Sequence, residues 1–276
     1  MLPCVGLMTK PCFLTPKRMQ PEYPLFIYLP GMDGTGQLLR SQTGGLEVGF
    51  DVRCLAIPRD DLTSWENLAA STLELIDGEL DRNPHREVYL CGESFGGCLA
   101  QLVATIAPKL FDKVILINPA SSFHLRSWYE WGAQLIYFTP SFLFDIGALG
   151  LLPFLAELSR MTGSDRQELL KTMRSVPPQT VLWRLSLIRE FQLAANKLQQ
   201  VTQPVLLIAS GGDKLLPSVA EGQRLASIFP DARMVVLPHS GHACLLETDI
   251  NLYEILTQEN FIQGVFQKCT SLEASN

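Results

Sequence analysis

Short, continuous apolar runs recur along the chain and alternate with segments of helical periodicity. Uninterrupted runs of this length are typical of strands that are buried on both faces, as in parallel sheets. Helical segments follow several of the runs. Thr63–Glu66 has the form of a capping box, which would open the first of these helices. The pattern therefore predicts an α/β fold with a mostly parallel central sheet and helices on both faces. The predicted strands are Leu25–Leu29, Val52–Ile57, Glu87–Cys91, Val114–Ile117, Pro204–Ala209 and Met234–Leu237, and two of the predicted helices are Phe95–Ala107 and Val219–Ile228.

The alternation is interrupted between Asn118 and Gln203, where no run fits the series of strands. This interval is rich in aromatic residues and then contains two helical segments, Asp165–Val176 and Pro178–Ala195. Open α/β sheets bind their ligands at the carboxyl ends of the strands. We therefore interpret the interval as a helical cap inserted over that edge of the sheet.

Three aromatic residues of this interval, Trp128, Trp131 and Phe138, are the candidate substrate contacts. For any single aromatic residue here, ordinary packing against the sheet is an equal alternative. The expected organisation is an N-terminal extension at 1–22, a core at 23–120 and 201–268, the cap at 121–200 and a C-terminal tail at 269–276.

The chain has 276 residues, of which 47% are hydrophobic and 18% charged, and this composition suits one large domain or a domain with an inserted cap. Its net charge of −6, with no run of Lys or Arg, provides no basic surface for nucleic acid, which we exclude as a partner. The seven cysteines are odd in number and scattered, so we expect reduced, buried thiols of an intracellular protein. No C-x-x-C pair suggests a metal or redox site, and the sequence predicts neither a metal nor a cofactor.

The N-terminal stretch and one apolar stretch raise the question of targeting or membrane insertion. Residues 1–20 contain basic but no acidic residues, and their apolar piece precedes the charges. This order is the reverse of a secretory signal, so we expect a poorly ordered extension and a protein that is not secreted. A membrane span at 132–158 is disfavoured, because two prolines and an aspartate interrupt its apolar sequence. Contact with the surface of a membrane or lipid droplet stays open.

The motif that points most directly to chemistry is the pentapeptide Gly92-Glu-Ser-Phe-Gly96, which lies between a predicted strand and a predicted helix. In a G-x-S-x-G nucleophile elbow, the serine occupies a strained strand-to-helix turn that only small neighbours permit. The pentapeptide alone recurs by chance, but its place in the order of elements fits the elbow. Ser94 is therefore the candidate nucleophile.

A serine hydroxyl is a weak nucleophile at neutral pH and needs a base with an orienting acid. After a nucleophile elbow the acid comes next along the chain and the histidine comes last. Asp213 follows the fifth predicted strand and His242 follows the sixth, so both are expected at the same edge as Ser94. The alternatives are Asp213 as a plain turn residue after two glycines and His239 as the base. We favour His242, because the helical run after it would hold its ring over the sheet edge.

The oxyanion of a tetrahedral intermediate needs fixed backbone donors. The expected donors are the amide of Phe95, directly after the nucleophile, and the amide of Met32 in the loop after the first predicted strand. This loop, 31–36, is rich in glycine, but its G-x-x-G-x-G spacing differs from the dinucleotide fingerprint, so NAD binding is not expected. Within the loop, Asp33 is expected to cap the following helix, and Glu93 is expected to form hydrogen bonds behind the elbow.

Four segments together carry a family resemblance: LPGMDGTG at 29–36, GESFGGCLA at 92–100, NPASSF at 118–123 and ASGGDKLLPS at 209–218. They resemble the α/β-hydrolase half of the plant phytyl ester synthases, which are esterase/lipase/thioesterase-like proteins of plastids. The resemblance covers 24–253 and implies an α/β-hydrolase fold, serine-hydrolase chemistry, acyl transfer to phytol or diacylglycerol, and a cytoplasmic or plastid and thylakoid-associated location. The plant proteins continue into an acyltransferase-like domain with an H-x-x-x-x-D motif, whereas no histidine of this chain has an Asp at that spacing.

We therefore expect a serine hydrolase that acts on carboxylic esters or thioesters with an apolar acyl chain through Ser94, Asp213 and His242. Acyl transfer would pass the acyl group from Ser94 to an alcohol in place of water. The alternative from another class is a ligand-binding or receptor protein on the same scaffold, since a fold does not determine function. The identity of the acyl chain and the oligomeric state stay open.

Overall fold

A seven-stranded sheet is the central feature of the computed structural model, which describes residues 8–125 and 150–262. Its strands are β1 (Cys12–Leu14), β2 (Leu25–Leu29), β3 (Asp51–Ala56), β4 (Val88–Glu93), β5 (Lys113–Ile117), β6 (Val205–Ser210) and β7 (Ala232–Leu237). They lie in the order β1-β3-β2-β4-β5-β6-β7, with β2 to β7 parallel and β1 antiparallel to β3. The mostly parallel sheet is confirmed, and the six predicted strands are present with ends shifted by no more than two residues.

Helices pack on both faces of this sheet. They are α1 (Arg40–Leu46), α2 (Trp65–Leu80), α3 (Phe95–Ile106), α4 (Gly163–Ser175), α5 (Pro178–Glu190), α6 (Ala195–Leu198), α7 (Ser218–Ala226) and α8 (Leu252–Gln258), and residues 150–155 are also helical. Alternate side chains of a strand point to opposite faces. Leu25, Ile27 and Leu29 of β2 therefore join a core with α2 and α3, whereas Phe26 and Tyr28 join a second core with α1 and α8.

From residue 8 onwards, the N-terminal segment differs from the poorly ordered extension that the sequence predicts. Strand β1 lies within it and pairs with β3 over three residues. The side-chain amide of Gln20 donates hydrogen bonds to the carbonyls of Glu47 at 2.7 Å and Phe50 at 3.2 Å. Pairing with β1 covers what would otherwise be an open edge of the sheet. A strand of three residues is too short to give a periodicity signal, so the sequence pattern did not reveal it.

Helix α2 begins one residue later than the predicted capping box. Ser64 is the N-cap, and its hydroxyl accepts a hydrogen bond from the amide of Asn67. The hydroxyl of Thr63 donates instead to the carboxylate of Asp61. Because Thr63 and Ser64 both carry hydroxyls, the sequence is compatible with either residue as the N-cap. The hydrogen bond to Asp61 engages Thr63 and leaves Ser64 as the N-cap.

The described part of the predicted cap is fastened to the core. Its two predicted helices are present as α4 and α5. Arg40 on α1 pairs with Asp165 and Glu168 on α4, with N···O distances of 3.1 and 3.2 Å. The indole nitrogen of Trp65 on α2 donates to the carbonyl of Leu187 on α5 at 2.8 Å. These contacts hold the cap helices against the core on its carboxyl-edge side.

Two sequence predictions concern residues that the structure does not describe. Trp128, Trp131 and Phe138 lie outside the described residues, as does most of the apolar stretch 132–158. In the described ranges, no helix combines the length and the apolar character that a membrane crossing requires.

Candidate active site

The turn between β4 and α3 has the geometry of a nucleophile elbow. Ser94 lies in this turn with φ 54° and ψ −113°, and a backbone conformation of this kind costs about 1–3 kcal/mol. A Cβ at Gly92 would lie 2.3 Å from the carbonyl oxygen of Gly96, and a Cβ at Gly96 would lie 2.0 Å from the carbonyl oxygen of Leu29. Side chains cannot approach a backbone so closely. The strand and the helix can therefore meet at the elbow only because both positions are glycine.

Ser94, His242 and Asp213 lie side by side at the carboxyl edge of the sheet, because they follow β4, β7 and β6. Nε2 of His242 is 2.8 Å from Oγ of Ser94, and Nδ1 of His242 is 2.7 Å from Oδ2 of Asp213. One tautomer of neutral His242 serves both contacts. Its Nδ1 carries the proton and donates a hydrogen bond to Asp213, and its Nε2 accepts a hydrogen bond from the serine hydroxyl. The competing candidate, His239, is exposed to solvent.

Asp213 is held by more than its contact with the histidine. Its Oδ1 accepts hydrogen bonds from the amides of Leu215 and Leu216 at 2.8 and 2.9 Å, and its Oδ2 accepts one from the hydroxyl of Ser218. Burial raises the pKa of Asp213, but the charge and hydrogen bond of His242, together with these donors, outweigh burial and lower the pKa below its ordinary value. Asp213 is therefore ionised at neutral pH and fixed in the orientation that holds the imidazole.

His242 interacts with two acidic groups. Burial lowers its pKa, whereas the charge of Asp213, the hydrogen bond to Asp213 and the charge of Glu93 raise it, and the net pKa lies above the ordinary value. Burial raises the pKa of Glu93 to about 7, against the lowering effects of the hydrogen bond from Tyr28 and the charge of His242. The phenol of Tyr28 donates to Glu93 behind the elbow, as predicted. Glu93 thus influences the proton affinity of the imidazole from behind the nucleophile.

The loop after β2 brings the amide of Met32 towards the nucleophile. A Cβ at Gly31 would lie 3.8 Å from the Cβ of Ser94. The amide of Gly34 donates to the carbonyl of Gly31 at 3.0 Å. Because the N–H and C=O of a trans peptide point in opposite directions, this bond directs the amide of Met32 away from the interior of the turn. Among the described residues, neither this amide nor that of Phe95 donates to a protein acceptor, so both can receive an oxyanion.

The prediction that Asp33 caps a helix is wrong. Its carboxylate accepts hydrogen bonds from the amide of Thr35, at 2.9 Å, and from the hydroxyl of the same residue. This is the local turn that Asp side chains commonly form with the backbone two residues on. The next helix begins only at Arg40, beyond the reach of this side chain.

Asn118 is a residue of the site whose role the sequence analysis missed. Its side-chain nitrogen donates to Oγ of Ser210 at 2.9 Å and to the carbonyl of His242 at 2.8 Å, and its Oδ1 accepts from the amide of Ser210 at 2.8 Å. Asn118 therefore joins the end of β5 to the end of β6 and to the loop of the base. The available signal was a polar residue directly after a buried strand, but Asn is also common there in plain turns.

Glu247 fixes the loop of the base from its other side. Its Oε1 accepts from the amide of Gly241 at 2.7 Å, and its Oε2 accepts from Nε of Arg160 at 2.7 Å. The amide of Ala243 donates to the carbonyl of Leu155 at 2.8 Å. Two of these partners belong to the predicted cap, so the cap helps to place the candidate base.

The described residues add neither a metal site nor a reactive thiol to the site. In the two described ranges, no group of three or more His, Cys, Asp or Glu side chains could hold a metal ion. Cys91 and Cys98 are free and buried, and burial raises the pKa of each thiol well above its ordinary value. A buried thiol that stays protonated is unreactive, so these cysteines are packing residues.

Comparison with known proteins finds a family and several relatives that match this chain. The family described as alpha/beta hydrolase fold matches residues 57–249. Phytyl ester synthase 1, chloroplastic, of Arabidopsis thaliana is 33% identical over 261 residues, which cover 85% of this chain and 36% of the relative. A pimeloyl-[acyl-carrier protein] methyl ester esterase of Nitrosomonas europaea is 32% identical over 177 residues, which cover 60% of this chain and 68% of the relative. An esterase structure from Exiguobacterium antarcticum is similar with a TM-score of 0.74 at 15% identity, covering 91% of this chain and 95% of that chain.

The chain spans little more than a third of the length of the phytyl ester synthases, 36% of one and 37% of a second. The matched family region includes the elbow, Asp213 and His242, and the similar solved structure shares the fold. These findings confirm the resemblance that the four sequence segments indicated. The chain belongs to the alpha/beta hydrolase fold family.

Proposed function

We propose that the chain is a serine esterase that cleaves carboxylic esters or thioesters with an apolar acyl chain. The observation that carries the proposal is the continuous hydrogen-bonded series from Oγ of Ser94 through the imidazole of His242 to the carboxylate of Asp213, at 2.8 and 2.7 Å. A serine placed on a strained elbow and bonded in this way to a base has the arrangement of an activated nucleophile.

In the first half of the proposed reaction, Nε2 of His242 takes the proton of Ser94 while Oγ attacks the carbonyl carbon of the substrate. The amides of Phe95 and Met32 donate hydrogen bonds to the oxyanion that forms. The negative charge of Asp213 stabilises the imidazolium. The imidazolium then gives its proton to the departing alcohol or thiol, and the acyl group stays on Ser94 as an ester.

In the second half, a water molecule gives a proton to His242 and attacks the acyl-enzyme through the same oxyanion geometry. Collapse of the intermediate returns the proton to Ser94 and releases a carboxylic acid. An alcohol that takes the place of water would give a new ester by the same steps. Acyl transfer is the second candidate function, and the specific observation in its favour is the similarity to two proteins named phytyl ester synthase.

The preference for an apolar acyl chain rests on the cap and on the relatives. The helical residues 150–155 expose Leu151 and Phe154, and the same segment binds the loop of the base through Leu155. Trp128, Trp131 and Phe138 stay proposed substrate contacts. One relative is named for synthesis of phytyl esters, whose alcohol is apolar, and another is named as an esterase of a pimeloyl methyl ester, whose acyl group contains a methylene chain.

The experiment that tests the assignment compares Ser94→Ala with Ser227→Ala, a substitution at an exposed serine. Turnover of p-nitrophenyl esters should fall by at least about 10⁴-fold in the first variant, since removal of a triad serine leaves only residual catalysis, and stay at the wild-type level in the second. A fluorophosphonate probe should modify Ser94, identified by peptide mass spectrometry. Retained turnover in Ser94→Ala would refute the proposal. Binding of an acyl ester with neither turnover nor modification would favour the receptor alternative.

The balance between hydrolysis and transfer needs a separate measurement. The purified protein is given acyl thioesters and esters of increasing chain length, with and without phytol or diacylglycerol, and the products are identified by mass spectrometry. Free acid alone at every acceptor concentration indicates a hydrolase. New esters that form with the acceptor, and that disappear in Ser94→Ala, indicate an acyltransferase.

A further inference from the structure

Arg184 on α5 is a buried cation that belongs to the predicted cap and binds the core. Only 2% of its surface is exposed. Its Nη1 donates to the carbonyl of Met32 at 2.8 Å, and its Nη2 donates to the carbonyl of Pro58 at 3.0 Å. Both partners are backbone carbonyls, and no carboxylate of residues 8–125 or 150–262 forms an ion pair with it. The guanidinium therefore bridges the loop that carries the candidate oxyanion donor and the segment that follows β3.

The guanidinium also lies directly against Gly34. A Cβ at Gly34 would be 2.7 Å from Nη1 and 3.1 Å from Cζ of Arg184. Gly34 has φ 69°, and its amide closes the turn by donating to the carbonyl of Gly31. Arg184 thus contacts the turn at its second residue, through the carbonyl of Met32, and at its fourth residue, Gly34.

Filling this volume does not by itself require a cation. Removing a cation from water costs several kcal/mol, and apolar residues of similar volume are often neutral or stabilising in place of buried ions. Burial lowers the pKa of Arg184, against the opposing charges of Asp33 and Asp61. What the guanidinium supplies, and an apolar side chain does not, is a rigid fork of donors that can bind two carbonyls at once.

We propose that Arg184 is a positioning residue for the oxyanion hole, and this inference rests on the proposed esterase function. Arg184 holds the peptide unit after Met32 through its carbonyl, and the bond from Gly34 to the carbonyl of Gly31 holds the unit that carries the amide of Met32. Because the guanidinium also packs against Gly34, Arg184 supports both restraints and hence the direction of this amide. A cap displaced from the core would withdraw the guanidinium and release the turn. The oxyanion donor is therefore in place only when α5 is seated, which couples the cap to the chemical step as well as to substrate binding.

The test compares three variants of the full chain: Arg184→Met, Arg184→Lys and the matched control Arg189→Met, whose residue is exposed on the same helix. Removing one oxyanion donor costs about 10²–10³-fold in kcat, so a donor that is only misdirected should cost about 10- to 100-fold in Arg184→Met. KM should change by less than about 3-fold, because the ground state makes little use of the oxyanion hole. Arg184→Lys keeps the charge without the planar fork and should lose about 10-fold. Arg189→Met should match the wild type.

A second readout separates positioning from general destabilisation. A trifluoromethyl ketone with the same acyl chain adds the serine oxygen and forms an oxyanion, so its inhibition constant should rise in both Arg184 variants by the same factor as kcat falls. If Arg184→Met does not fold, Arg184→Lys decides, with Tm measured alongside. The inference would be overturned if a folded Arg184→Lys had the kcat and the inhibition constant of the wild type. A fall in kcat with an unchanged inhibition constant would also overturn it. Activity that survives in Ser94→Ala refutes the esterase proposal itself, whereas an inactive Ser94→Ala beside fully active Arg184 variants refutes only the role of Arg184.

Discussion

The replacement Asn118→Gly tests whether one buried amide holds the acid and the base in place. The side chain of Asn118 binds both the amide of Ser210, at the end of β6, and the carbonyl of His242. Asn118 itself is buried and has φ 43°, a left-handed conformation that glycine adopts without strain. The substitution therefore removes the hydrogen bonds and leaves the backbone conformation accessible.

The expected loss of stability follows from the groups left behind. Each buried polar group without a partner costs about 1–3 kcal/mol, and here two backbone groups lose theirs, so we expect a loss of about 3 kcal/mol after some relaxation. For a domain of this size, a loss of this magnitude lowers Tm by about 6–12 °C. Asn118→Ala should lower the free energy of unfolding by up to about 1 kcal/mol more than Asn118→Gly does. Alanine pays the steric cost of a Cβ in the left-handed region, and this cost exceeds the extra conformational entropy that glycine loses on folding.

Activity should fall along with stability, because the acid and the base are both held through this amide. A displacement of about 1 Å in a catalytic group can cost about 10²-fold, so we expect kcat to fall by about 10- to 100-fold at a temperature where the variant is folded. The assays are thermal unfolding by circular dichroism and turnover of p-nitrophenyl esters. Asn196→Gly, at an exposed position, is the control. A Tm within about 2 °C of the wild type for Asn118→Gly would refute the reasoning.

Three further predictions concern the base, the group behind the nucleophile and the elbow. Glu93→Gln removes a negative charge that raises the pKa of His242, so the imidazole should bind its proton less tightly. The acid limb of kcat/KM should then move to lower pH in a profile from about pH 5 to 9. An acid limb that stays in place or moves to higher pH contradicts this prediction. His239→Ala should keep wild-type turnover, whereas His242→Ala should lose about 10⁴-fold or more, and equal losses in the two would remove the distinction between the histidines. Gly96→Ala places a Cβ 2.0 Å from a backbone oxygen and should give little folded protein. In the control Gly44→Ala, the new Cβ meets nothing within 4 Å outside its own helix, and the free energy of unfolding in urea should rise by about 0.5–1 kcal/mol. Similar stabilities for these two alanine variants would show that the elbow tolerates a side chain.

Sequence reasoning was strongest for the sheet and for the residues that follow its strands. Continuous apolar runs define buried parallel strands, and residues directly after them share one edge, so Ser94, Asp213 and His242 could be expected together without knowledge of any distance. The strand β1 was not predicted, because three residues pair with β3 through backbone hydrogen bonds that no side-chain pattern reports.

Contacts between distant parts of the chain could not be predicted in the same way. The binding of Arg184 to the loop of Met32, and the binding of Asn118 to the loop of His242, depend on how the elements pack in three dimensions. A buried Arg on a helix looks in sequence like any solvent-exposed Arg, and its partners are carbonyls, which every residue carries. The expected helix cap at Asp33 failed for a related reason, because a local turn with Thr35 competes with capping and a spacing rule does not rank the two.

The position of the cap within the chain has a consequence for how the protein is made. The predicted cap lies between β5 and β6, so the ribosome completes the elbow and the loop of Met32 first, then the predicted cap. Only afterwards does it make β6 and β7, which Asp213 and His242 follow. Translation proceeds at about 5–20 residues per second, which leaves the nascent chain with a serine but no base for several seconds. By the time the candidate base emerges, the predicted cap is already synthesised, and so are the carbonyls of Met32 and Pro58 that Arg184 binds. The order of elements thus places the predicted cap in the nascent chain before the candidate triad is complete.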